Sequence, residues 1–150
     1  MISQTYDEMR GVGEIRTSAF NLFKQGGFFS SKVYLNIGFA VVLGEKSKTG
    51  WFIFDAKMNE WTLLEVREFI ALIDGHRYIN EGQIRKSDTN VEGYDVMCYE
   101  EMHVPFDMDL LNRMASATTI KIRVGGTDFV LAPDVMAELK ALNEAVAAVN

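Results

Sequence analysis

A chain of 150 residues with 48% hydrophobic and 24% charged side chains has the balance of an ordinary globular protein, which excludes a disordered one. Its formal net charge of −6 argues against nonspecific nucleic-acid binding, because polyanion binding needs clustered Lys and Arg to release counterions. The single cysteine, Cys98, excludes an intramolecular disulfide and a structural zinc site built from several thiolates.

The length predicts one domain over residues 1–150, burying roughly 68–70% of the surface its unfolded chain exposes. The charge is uneven: +2 over residues 1–50, −5 over 51–100 and −3 over 101–150, an acidic middle that serves solubility. No stretch approaches the roughly 18 uninterrupted apolar residues of a membrane helix, so no transmembrane segment is expected. Met1 to Glu8 lacks the basic-then-apolar pattern of a leader. The chain as written therefore reads as cytoplasmic, or periplasmic if a leader had been removed.

From the N-terminus, Tyr6 to Thr17 mixes charges with Gly11 and Gly13 and is expected to be an edge strand with a bulge. Phe20, Phe23, Phe28 and Phe29 surround Gly26-Gly27, a loop or short turn that drops aromatics onto the core. Val33 to Leu43 alternates cleanly and is the strongest strand. Gly44 to Gly50 reads as a polar hairpin loop and Trp51 to Phe54 as the return strand, with a further short element at Trp61 to Leu64.

Glu68 to Asp74 is expected to be a strand. Asp74-Gly75 suits a type I′ turn, whose central positions both need positive φ, and Arg77 to Ile79 returns from it. Polar residues 80–92 read as a loop. Tyr94 to Val104 is another long strand, with Val96, Cys98, Met102 and Val104 in phase. Glu100 falls in that apolar row, which implies a bulge, a sheet edge or a paired carboxylate.

Asp107 suits an N-cap, and Asp109 a first-turn acid, for a helix running to about Ala117. Leu110, Leu111 and Met114 form its apolar face. Thr118 to Val124, Gly125-Gly126 and Asp128 to Leu131 predict a closing hairpin. Pro133 then opens a final helix. Val135, Leu139, Leu142 and Val146 are spaced by four, three and four, one stripe that needs a partner. With about eight strands, two helices and no βαβ alternation, the fold class is α+β, mainly antiparallel. The expected form is sandwich-like or a strongly curved sheet, with a short helix and the C-terminal helix packed on it.

Chemistry is sparsely marked. Glu101 and His103 lie two apart on a strand and so share a face, where they can act as an acid–base pair or hold a metal with a third ligand. Asp95 and Tyr99 fall on the same row. The plain reading of that row is a solvated sheet face. Asp74, His76 and Arg77 cluster at a hairpin tip, where function often sits, although the turn alone accounts for Asp74-Gly75. Gly44 to Gly50 lacks the phosphate-loop spacing. Gly11-x-Gly13 lacks the dinucleotide fingerprint and its βαβ setting. No G-x-S-x-G elbow is present, and Cys98 reads as a small buried hydrophobe.

Tyr6-Asp7, the alternating strand Val33 to Leu43, the turn Asp74-Gly75-His76-Arg77 and the strand–turn–strand–helix of residues 118–149 together resemble the layout of small bacterial β-rich proteins of unknown function. The resemblance spans most of the chain. It implies one whole domain and no activity, and no functional residue is carried over from it.

The functional expectation is a non-enzymatic bacterial binding or interaction protein, at the cell envelope in one form of that reading. Its candidate ligand-binding residues are Asp74, His76, Arg77, Asp95, Tyr99, Glu101 and His103. No catalytic residue, metal or cofactor is assigned. The alternatives are a small metal-binding or hydrolytic protein using Glu101 and His103, and a self-associating structural subunit pairing through an edge strand or the terminal helix. A protein partner or self-association is expected, and nucleic acid is not.

Overall fold

The computed structural model describes residues 1–26 and 31–149. The fold is α+β and mostly antiparallel, with eleven strands and two helices among the described residues. The strands form an open seven-stranded sheet and an open four-stranded sheet.

The large sheet is built on β4 (Val33–Leu43), β5 (Lys48–Met58) and β9 (Asp95–Phe106). These long strands pair antiparallel in sequence along the sheet. Their apolar residues recur every second position, so Leu35, Ile37, Phe39 and Val41 share one face with Phe52, Phe54, Met102 and Val104, all buried. β1 (Ser3–Asp7) and β2 (Val12–Arg16) form a hairpin on one flank. The segment expected to be a single bulged strand thus contains a turn, and Gly11 supplies its positive φ of 64°. β3 (Phe20–Gln25) continues along β4. Phe20 and Phe23 therefore lie on a strand rather than in a loop, partly buried against the core. Phe28 and Phe29 lie outside the described residues.

The four-stranded sheet contains β6 (Glu68–Ile73), β7 (His76–Glu81), β10 (Ile120–Val124) and β11 (Thr127–Val130), in the order β11-β10-β6-β7. Asp74 and Gly75, at φ 49° and 83°, make the tight turn read from their sequence. The two sheets meet face to face through aromatics. Phe69 of β6 lies 4.6 Å from Phe52 and 5.5 Å from Phe54 between ring centroids. Helix α1 (Met108–Ala115) is capped by Asp107, whose carboxylate accepts the Leu110 amide at 2.8 Å. Helix α2 (Pro133–Ala147) buries Val135, Leu139, Leu142 and Val146 against α1 and β2. The stripe's partner is therefore largely another helix, not only a sheet. α2 carries no basic residue in its last turn. Lys48 of β5 supplies the cation instead, donating to the carbonyls of Val146 at 3.2 Å and Val149 at 2.9 Å.

Two further sequence expectations need correction. Residues 83–92, read as a loop, form β8 (Gln83–Glu92), an edge strand paired with β9. Its side chains are nearly all exposed, so no hydrophobic alternation marks it, and its charges and bulge near Arg85 suit a free edge. Trp61 to Leu64, expected as a further short element, lies in the turn-containing loop between the sheets, organised by Glu100. That carboxylate is 1% exposed and accepts the amides of Thr62, Leu63 and Leu64 at 2.9, 2.9 and 2.7 Å. Glu100 thus sits in the apolar row for none of the expected reasons: it satisfies backbone donors that would otherwise be orphaned.

Candidate functional site

The outer faces of the two sheets hold the residues with chemistry. On the large sheet, strand pairing lines up Asn36, Asp55 and Glu101 in one row, Gly38, Ile53 and His103 in the next, and Tyr34, Lys57 and Tyr99 on the other side. His103 Nε2 lies 3.1 Å from Glu101 Oε2. Burial pulls the His103 imidazole below its ordinary 6.5, and the Glu101 carboxylate opposes that shift. Burial, and then the neighbouring Glu101, raise the Asp55 carboxyl above its usual range. Trp51 tilts against His103 at 6.0 Å between centroids, and the Arg85 guanidinium lies 5.5 Å from the Trp51 ring. A shallow hollow of about 270 Å³ opens here, lined by Trp51, Arg85, Glu101 and His103 together with Arg16 and Glu14. No serine, threonine or cysteine lines it.

Tyr99 is committed elsewhere. Its hydroxyl donates to Glu92, whose other oxygen binds Lys57 at 2.7 Å. The bond to Glu92 raises both the Tyr99 phenol and the Lys57 ammonium above their ordinary values. This network ties the end of β8 to the sheet. Asp95 sits at the start of β9 and accepts the Ser31 amide at 3.3 Å. Among the described residues, no three His, Cys, Asp or Glu side chains stand close enough to hold a metal ion.

The hairpin-tip cluster divides. Asp74, itself exposed, accepts the amides of Thr118 and Thr119, both at 2.9 Å, which locks the turn to the start of β10. His76 is exposed at the head of β7. Arg77 points to the outer face of the four-stranded sheet.

That face is the larger candidate, a hollow of about 570 Å³. Its rows follow from the register. Val130, Lys121, Leu72 and Arg77 form one row; Asp128, Arg123, Ile70 and Ile79 the next; Glu68 and Glu81 stand opposite each other in the third. Leu72 is 36% exposed, Ile79 52% and Val130 65%. Arg123 and Asp128 make a bidentate pair at 2.5 and 3.1 Å. Arg77 and Lys121 have no ion-pair partner among the described residues. The signal for this face lay in β6. A strand with one solvated face alternates, whereas Phe69 to Ile73 is apolar at every position.

Comparison with protein-family models, with curated proteins and with solved structures gives no significant match to this chain. No helix among the described residues is long and apolar enough to cross a membrane.

Proposed function

We propose that this is a non-enzymatic binding or interaction protein whose contact surface is the outer face of the four-stranded sheet. One observation carries the reading. Ile70, Leu72 and Ile79 form a contiguous aliphatic patch on the adjoining strands β6 and β7, with unpaired Arg77 and Lys121 beside it. Covering a Leu or Ile side chain contributes roughly 1.5–3 kcal/mol, and an apolar centre with a charged rim is the anatomy of a protein contact.

Site-specific photo-crosslinking in cells expressing the protein tests this. A crosslinking amino acid at Ile79 should yield a discrete protein adduct, and one at Lys86 on the free edge of the large sheet should not. Equal yields at the two positions, or none at either, would contradict it.

A second reading rests on the 3.1 Å contact of Glu101 with His103, which is the base-and-orienter half of a catalytic arrangement. It needs a nucleophile or a metal from the ligand side, because the hollow's own lining supplies neither. Metal analysis together with a His103→Ala variant tests it. Absence of bound metal and unchanged ligand binding in the variant would remove it.

A further inference from the structure

We propose that the occupant of this face is a second copy of the same chain, packed sheet to sheet about a two-fold axis. The inference rests on the contact-surface reading above and adds the partner.

Charge is ordered along the strands of this face. The face has three rows, two residues apart, so about 7 Å separates each from the next. One end row carries Lys121 and Arg77 with the apolar Val130 and Leu72, the middle carries Ile70 and Ile79 beside the mutually neutralised Arg123 and Asp128, and the other end carries Glu68 and Glu81. Charge along the strands therefore runs basic, neutral, acidic. Such a face is complementary to itself when turned end for end.

A two-fold axis lying across the strands, over the Ile70–Ile79 row, performs that turn. It sets Ile70 and Ile79 on the same residues of the second copy. It places Arg77 over Glu81 of the second copy, on the equivalent strand, and brings Lys121 within one strand spacing of Glu68 of the second copy. The Arg77–Glu81 and Lys121–Glu68 approaches each occur twice, while Ile70 and Ile79 each meet their own counterpart once, on the axis, as an isologous interface requires. Arg123 meets its own counterpart under this operation, but Asp128 already neutralises it through two hydrogen bonds. The strands of the two sheets stay nearly aligned, the common geometry for sheets packed face to face.

An acidic partner of another kind fits less well. Glu68 and Glu81 would then face like charge at one end, and opposing like charges disfavour a contact. A second copy is the occupant for which both ends are matched.

Sedimentation velocity of the purified full chain tests the inference. The wild type should run as a dimer of the 16.9 kDa chain. Ile79→Glu should weaken association by at least about 30-fold, the scale of a central anchor. Arg77→Glu should weaken it by roughly 10-fold, and adding Glu81→Arg should restore it, because the swap keeps opposite charges across the interface. Circular dichroism confirms that each variant is folded. A strictly monomeric wild type at the highest soluble concentration overturns the inference. So does a dimer that Ile79→Glu leaves intact, or a charge swap that fails to recover what Arg77→Glu lost. If the chain is monomeric yet Ile79 crosslinks to a different protein in cells, the second-copy inference falls and the contact-surface reading stands.

Discussion

Glu100 accepts the Leu63 amide at 2.9 Å, and Leu63 is itself fully buried. A carboxylate on β9 thus fixes the loop that carries the chain from the large sheet to the small one. The same carboxylate takes the Thr62 and Leu64 amides, so its loss leaves three donors unmatched in or near the core. Leaving one buried donor unpaired costs about 1–3 kcal/mol. Glu100→Ala should therefore destabilise the fold by about 3 kcal/mol or more in denaturant unfolding. Glu100→Gln should be milder, because the amide oxygen still accepts while its NH2 group faces a backbone donor. Equal stability of wild type and Glu100→Ala would contradict this role.

Gly50 lies opposite Phe106 across β5 and β9. A Cβ there would come within 2.0 Å of the ring of Phe106, which is only 3% exposed. Overpacking of this kind costs about 1–3 kcal/mol, more than the roughly 0.5–1 kcal/mol gained by removing glycine from a strand. Gly50→Ala should lower the melting temperature, and adding Phe106→Leu should recover part of the loss. An increase in melting temperature for Gly50→Ala alone would show that the ring yields.

The folded state holds His103 below its ordinary 6.5, mainly through burial. In the window between the folded value and the unfolded 6.5, the unfolded chain binds more protons than the folded one. The contribution of His103 to stability is therefore fully present above 6.5 and is lost as pH falls through the folded value. Glu101 raises the folded value. Glu101→Gln should thus move the imidazole titration, followed by NMR, to still lower pH. An upward shift would show that the two side chains do not interact as placed.

Asp55 has the opposite sign. Burial and the adjacent Glu101 raise its folded value above the ordinary 3.8, so ionising Asp55 opposes folding as pH rises through that range. Asp55→Asn should be more stable than wild type at neutral pH, and the advantage should vanish in acid below 3.8. A gain independent of pH would point to a packing effect instead.

The strands legible in the sequence are those whose large apolar side chains all take one face. β4 alternates because its inner residues meet Phe52 and Phe54, and its limits were read without error. The Asp74-Gly75 turn and the Asp107 cap were legible because backbone geometry restricts which residues occupy them. β8 was not, because an exposed edge strand has no buried face to leave a pattern. Glu100 was visible as an anomaly, but its partners are backbone amides nearly forty positions away, which no local pattern encodes. Among the candidate site residues, Glu101 and His103 were brought together as their spacing requires. Asp74 and Arg77, neighbours in sequence, diverge into a structural lock and an exposed face. The apolar residues on the outer face of the small sheet come from three strands, in two hairpins far apart in the chain. Only the unbroken apolar run of β6 hinted at it.

The outer face of the four-stranded sheet is proposed as a contact surface, and in the sharpest form of that proposal it contacts itself. Amide NMR spectra of the isotope-labelled protein, recorded from dilute to concentrated solution, test this most directly. Concentration-dependent shifts are expected, confined to Ile70, Leu72, Arg77, Ile79, Lys121 and their neighbours, with Asp55, Glu101 and His103 unmoved. Spectra that do not change with concentration would contradict the contact with itself, and changes centred on the large sheet would contradict the choice of face.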